Sequence, residues 1–146
     1  MKFERILIAV DNSPFSAQAA EAGFQLAQHL NAEVALVYVI EIIINISDPV
    51  EPDMSIDLIK LREEDSIKTL QALNEKFSNN IKTDLLTPQG IPKNEIISVA
   101  DEWKADVIVI GTHGRTGLSH LLLGSTSEYV VRHSKVPVMV VPMKKE

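Results

Sequence analysis

The chain contains no cysteine, so disulfide frameworks, thiol catalysis and cysteine-ligated zinc are excluded at once. Positive charge is in deficit too. Fourteen Lys and Arg stand against 20 Asp and Glu, a formal net charge of −6. That balance favours solubility and disfavours non-specific binding to nucleic acid or anionic lipid. Purely apolar runs, such as residues 107–110, fall far below the ~20 residues needed to span a bilayer. The opening passes from charged side chains straight into a β-like stretch, without the basic, apolar, small-residue order of a secretory leader. Internal repeats and low-complexity tracts are absent as well. What remains is 146 residues, 45% hydrophobic and 23% charged, which are ordinary globular values. A chain of this length typically buries roughly 68–70% of its extended surface. The expectation is one cytoplasmic domain, residues 1–146, that binds neither nucleic acid nor membrane.

What is present alternates between two periods. Residues 5–10 (RILIAV), 33–40 (EVALVYVI), 107–110 (VIVI) and 138–141 (VMVV) are short continuous runs rich in Val and Ile. Continuity, in place of alternation, suits strands buried on both faces, as in a parallel sheet. Residues 81–87 (IKTDLLT) form a more polar run that suits an edge. Helical patterns lie between the runs. Ser13 and Pro14 open the first, the serine as a cap and the proline at the first helical position. Phe15, Ala19, Ala22, Leu26 and Leu30 follow at helical spacing, and Asn31 ends the run. The second helix covers residues 55–77, its stripe of Ile56, Ile59, Ile67, Leu70, Leu73 and Phe77 set against Glu63, Glu64, Lys68 and Glu75. A third spans residues 93–104 and a fourth residues 125–133. Such β-α alternation implies an α/β fold, an open parallel sheet with helices on both faces and right-handed crossovers. Residues 41–53 form the single long irregular connection.

Ligands of such a sheet bind beyond the carboxyl ends of the strands, where strand order reverses. Two turns therefore matter most. One is Val10-Asp11-Asn12-Ser13. The other runs from Gly111 through Thr112, His113, Gly114, Arg115 and Thr116 to Gly117, and Gly124-Ser125-Thr126-Ser127 then opens the last helix. Glycines let backbone N–H groups turn toward a ligand without side chains in the way. A glycine turn feeding a helix N-terminus makes an anion site. The GxxxxGK[ST] pattern is absent and no lysine precedes Ser125, so this is no P-loop. The glycines do not spell GxGxxG and follow the fourth strand, so it is no dinucleotide fingerprint.

The spacing that does occur is Gly111-x2-Gly114-x9-Gly124-Ser125. It resembles the ATP-binding signature of the universal stress protein family. The resemblance extends over nearly the whole chain, through ILIAVDNSPFS, residues 33–41, Gln89-Gly90-Ile91-Pro92, ADVIVIGTHGRTG, LLGSTSEYVV and VPVMVV. It implies a five-stranded sheet of order 3-2-1-4-5, of the Rossmann-like, adenine-nucleotide-binding type. It also implies a homodimer joined through the last strand, between Val136 and Val141. With strands one and four adjacent, Asp11 faces Gly111 and the two turns become one site. The binding set is then Ala9, Asp11, Val39, Ile110, Gly111, His113, Gly114, Arg115, Gly124, Ser125 and Thr126. The implied ligand is ATP, with ADP or AMP as alternatives, accompanied by Mg²⁺ or Mn²⁺. No residue is assigned to catalysis or to a metal.

Each assignment has a plainer counterpart. The glycines also read as turn residues, and Ser125 with Glu128 as a capping box. Asp11 reads equally as a cap of the first helix and as a contact to ribose hydroxyls or to a nucleotide-borne cation. Ala9 and Val39 border the adenine by resemblance, yet suit ordinary strand packing. Arg115 supplies charge near phosphates, or is a solvated loop residue. His113 lacks a nucleophile elbow and lines the pocket by resemblance. His29, His120 and His133 read as structural or exposed, and Trp103 as packing. The leading function is an ATP-binding regulatory switch of the stress response that acts on a protein partner. Hydrolysis is slow at most, since no water-positioning Gln, paired acidic base or lysine clamp is in view. Two alternatives stand beside it: a nucleotide-hydrolysing or nucleotidyl-transfer enzyme on the same architecture, and a dimeric scaffold without nucleotide.

Overall fold

The computed structural model describes residues 2–42, 52–113 and 123–143, with the backbone alone over residues 52–55. The elements run β1 (Arg5–Val10), α1 (Ser16–Leu30), β2 (Glu33–Tyr38), β3 (Ile40–Glu41), α2 (Pro52–Phe77), β4 (Thr83–Leu86), β5 (Gln89–Gly90), α3 (Pro92–Trp103), β6 (Val107–Gly111), α4 (Ser125–His133) and β7 (Val138–Val141). Five strands form one sheet in the order β4-β2-β1-β6-β7, with every pairing parallel. Numbered within this sheet alone, that is the 3-2-1-4-5 order implied above. What differs is an extra parallel ribbon, in which Ile40 pairs with Gln89 and Glu41 with Gly90. The continuous apolar run 33–40 suits one strand through Ile40, whereas the structure breaks it at Val39 and pairs Ile40 separately.

Residue parity divides the core in two. Ile6, Ile8 and Val10, with Val34, Leu36, Val107 and Val109, pack against Phe24 and Ala27 of α1 and Leu70 and Leu73 of α2. Leu7, Ala9, Ala35, Val37, Ile108 and Ile110 face the other way, onto Ile96, Val99 and Ala100 of α3 and Val130 of α4. Both faces of the central strands are covered, which is why their runs are apolar at every position. The edge strands β4 and β7 are only half-buried for the most part. Helix α1 crosses β1 at Gly23, where an added Cβ would stand 2.5 Å from Ile8 Cδ1. The glycine gives up helix propensity for that close approach.

Two helix expectations need correction. Along α2, Leu70 and Leu73 are buried, but Ile56 and Ile67 are 52% and 41% exposed. At 3.6 residues per turn both fall to one side of the line through Ser66 and Leu70. Ser66 occupies the core face instead, its hydroxyl donating to Glu63 O at 2.8 Å. Helix α1, for its part, starts at Ser16, with Phe15 in the N-cap position and no side-chain cap. Asn31 ends it in the left-handed conformation, a common helix stop. Among the described residues no helix is long and apolar enough to cross a membrane.

Candidate functional site

Strand β1 lies between β2 and β6, so the connections leave it in opposite directions and a crevice opens beyond the carboxyl ends. A cavity of about 580 Å³ fills that crevice. Ala9, Asp11, Val39, Ile110, Gly111, His113, Gly124, Ser125 and Thr126 all line it. The structure thus brings both sequence-marked turns to one site. Gly114 and Arg115, like His120, lie outside the described residues.

Asp11 follows the last residue of β1 and organises the turn that leads to α1. Its Oδ1 accepts the Ser13 N–H at 2.8 Å and the Ser16 hydroxyl at 2.9 Å. Its own N–H donates to Ser16 Oγ at 2.8 Å. These bonds hold Ser13 and Pro14 in a turn ahead of the helix, and Ser13 O accepts the Ser16 N–H at 3.2 Å. Ser13 is therefore not the helix cap, and Pro14 is not its first residue. Nor does Asp11 cap the helix from the N-cap position; it fixes the approach to it. A carboxylate offers about four acceptor sites, so two bonds leave acceptor capacity on a residue that lines the cavity.

The opposite wall is the start of α4, stitched to the end of β6. Thr112 N–H donates to Val141 O at 3.0 Å, Gly124 N–H to Thr112 O at 2.7 Å, and the Ser127 hydroxyl to Gly111 O at 2.6 Å. The Gly124 bond fixes where the helix begins. Gly124 is the N-cap, without a side-chain bond, and Ser125 is the first helical residue. The capping box expected from Ser125 and Glu128 does not form, because the serine stands one position too late. Glu128 instead pairs with Arg132 at 2.8 Å. The N–H groups of Ser125, Thr126 and Ser127 have no intrahelical partner, as in the first turn of any α-helix.

The glycines at this wall are not explained by backbone geometry. Gly124 has φ −69 and ψ 164, open to any residue. An added Cβ on Gly111 would meet nothing nearer than His113 O at 3.7 Å, an ordinary contact. Neither the backbone conformation at Gly124 nor the packing at Gly111 demands glycine, and both leave bare backbone at the cavity lining. His113 is buried, with Nδ1 3.2 Å from Thr112 Oγ1. Among the described residues no group of three or more His, Asp or Glu is placed to hold a metal.

The Universal stress protein family model matches this chain over residues 2–142. The chain belongs to that family. Universal stress protein MJ0531 of Methanocaldococcus jannaschii is 34% identical over 146 residues, spanning 99% of this chain and 85% of its own. The solved structure of MJ0577 from the same organism superposes over the full length of both chains, with a TM-score of 0.87 at 26% identity. A universal stress protein solved in complex with cAMP covers 97% of this chain and 98% of its own, with a TM-score of 0.68 at 24% identity.

In this universal stress protein the cavity has a third wall that the sequence did not mark. Ile91, Pro92, Lys93 and Ile96 from the start of α3 line it, together with Phe15, Tyr38 and Glu41. Gly90 sets that wall in place. Its φ is +149, and an added Cβ would stand 2.8 Å from Glu95 Cγ. The chain thus leaves the β3–β5 ribbon in a path only glycine follows easily. A signal was available: Gln89-Gly90-Ile91-Pro92 also follows a strand at its carboxyl end.

Proposed function

We propose that this universal stress protein binds an adenine nucleotide, ATP above all, and acts as a nucleotide-dependent regulatory switch in the cytoplasmic stress response. The carrying observation is convergence. Turns far apart in sequence meet at one cavity of about 580 Å³, within the range of small-ligand sites. Its lining grades from apolar to anion-binding. Ala9, Val37, Val39 and Ile91 form a surface suited to a flat base; Ile91, though 51% exposed, belongs to that wall. Asp11 suits ribose hydroxyls, and the open first turn of α4 suits phosphate. A protein of the same fold is known in complex with cAMP, which supports an adenine nucleotide as the ligand class. In this reading Arg115 adds charge near the phosphates and Gly114 keeps the backbone open. Mg²⁺ or Mn²⁺ arrives with the nucleotide, and Asp11 serves the ribose hydroxyls or that cation.

Hydrolysis is slow in this reading. Among the described residues the lining acids are Asp11, which is bonded to Ser13 and Ser16, and Glu41, and neither is paired there as an activated base. The protein works as one domain and as a homodimer, signalling to a protein partner. Strand β7 is at the end of the sheet, and no charge lies between Val136 and Val141. An apolar edge of that kind favours pairing with its own copy about a two-fold axis.

Mass spectrometry of the purified protein after incubation with ATP tests the reading. Native spectra are expected to give a dimer carrying one nucleotide per chain, and denaturation should release intact ATP. A protein that takes up no adenine nucleotide overturns the proposal in favour of a scaffold. Steady turnover well above ~1 s⁻¹, typical of enzymes, would favour the hydrolysing enzyme.

A further inference from the structure

We propose that Lys93 sets this chain's preference among adenine nucleotides, favouring those with more phosphates. The proposal rests on the nucleotide reading of the cavity. Lys93 is the one Lys or Arg among the described residues lining the cavity, in a chain of net charge −6. It follows Pro92 in the first turn of α3, whose N-cap is Ile91. That is the unfavourable end for a lysine, because the helix dipole already places partial positive charge there. A residue set against its local preference points to function.

The side chain does not run to a surface carboxylate. Among the described residues Lys93 forms no ion pair. Its Nζ lies 5.0 Å from the centroid of the Tyr129 ring, within cation–π range. Tyr129 is itself stacked on His133, centroids 4.0 Å apart. It stands one turn beyond Ser125 on α4, and helical side chains lean back toward the N-terminus. Lys93 lines the same cavity as Ser125 and Thr126, whose N–H groups have no intrahelical partners. Two helix N-termini and one lysine raise the potential on a single side of the cavity, opposite Asp11. A monophosphate is served by the α4 N–H groups alone. Each further phosphate adds negative charge that the lysine is placed to neutralise.

Titration calorimetry of the wild-type protein, K93Q and K93R with ATP, ADP and AMP tests this. K93Q should weaken ATP binding about tenfold, the loss of one charge-assisted contact, weaken ADP less, and leave AMP within about twofold, as expected of a residue that acts only through charge. K93R should retain ATP affinity. Added salt should weaken ATP binding to the wild type more than to K93Q, since it screens an exposed charge. Equal losses for ATP and AMP would show a structural role and overturn the proposal. So would an unchanged ATP affinity in K93Q while the wild type binds normally. If the wild type binds none of the three, the nucleotide reading itself falls, and the assignment of Lys93 with it.

Discussion

The two ends of the sheet are built on opposite plans. At the amino end the starts of β1, β2, β4 and β6 are tied to their neighbours by charged groups. Asp106 Oδ2 accepts the N–H groups of Glu4 and Arg5, both at 2.9 Å, and Asp106 N–H donates to Arg5 O at 2.8 Å. The Arg5 guanidinium lies over the Trp103 ring, 3.9 Å from its centroid, donates to Trp103 O at 2.9 Å and pairs with Glu33. Glu33 also meets Lys82 at 3.4 Å, and Trp103 Nε1–H donates to Asp84 at 3.0 Å. Side chains thus close that end. At the carboxyl end the chain presents glycine, helix first turns and short hydroxyl side chains around an open cavity. Stabilising side-chain contacts gather at one end and, in the proposed reading, recognition at the other, a division that lets a binding site keep unpaired N–H groups without loosening the fold.

If that division holds, variants at the two ends should separate binding from stability. The largest effect is expected from Gly111→Val. An added Cβ there meets only ordinary contacts, and valine suits a strand end, so the apo protein should melt within about 1 kcal/mol of wild type. The extra methyls occupy the cavity lining, and ATP affinity should fall at least about a hundredfold, roughly 2.7 kcal/mol. Retained ATP binding in a folded Gly111→Val protein would show that the ligand sits elsewhere.

The converse comes from Asp106→Ala at the closed end. Two backbone N–H groups lose a charged acceptor, and hydrogen bonds to charged groups contribute about 1.5–3 kcal/mol each when intact. One of the two contacts is solvent-exposed, so water recovers part of the loss and a net destabilisation of about 2 kcal/mol is expected. Urea unfolding measures it, and a parallel ATP titration should return the wild-type dissociation constant. A fall in both would mean that the two ends are coupled through β1 and β6.

The central strands were legible because both faces are buried, which writes an unbroken apolar run into residues 5–10 and 107–110 of the sequence. The ribbon β3–β5 was not, since two residues per strand carry no periodicity and Gln89-Gly90 reads as a turn. Helix starts slipped for a chemical reason. Ser13 and Ser125 have the right side chains for caps, yet Asp11 engages Ser13 before the helix begins, and the Gly124 bond to Thr112 starts α4 one residue before Ser125. The site was legible where glycine spacing marked backbone exposure. The α3 wall was not: Ile91 and Pro92 have no ligand-specific chemistry of their own, a single lysine such as Lys93 marks no motif, and all three reach the cavity only once α3 packs beside α4.

Ser125→Ala is the subtlest test, and it distinguishes two roles for one hydroxyl. Were Ser125 the N-cap, its loss would cost the apo protein about 1 kcal/mol. The N-cap is Gly124, and Ser125 is exposed in the first turn, where alanine is a good helix former. Apo stability should therefore stay within about 0.5 kcal/mol of wild type. The hydroxyl can still donate to a phosphate oxygen, a contact to a charged group that contributes roughly 1.5 kcal/mol. ATP affinity should then fall about tenfold, less than in Gly111→Val, because the first-turn N–H groups remain. Melting the apo protein beside an ATP titration decides between the roles. A lower melting temperature with an unchanged dissociation constant would return Ser125 to structure and leave phosphate to the backbone alone.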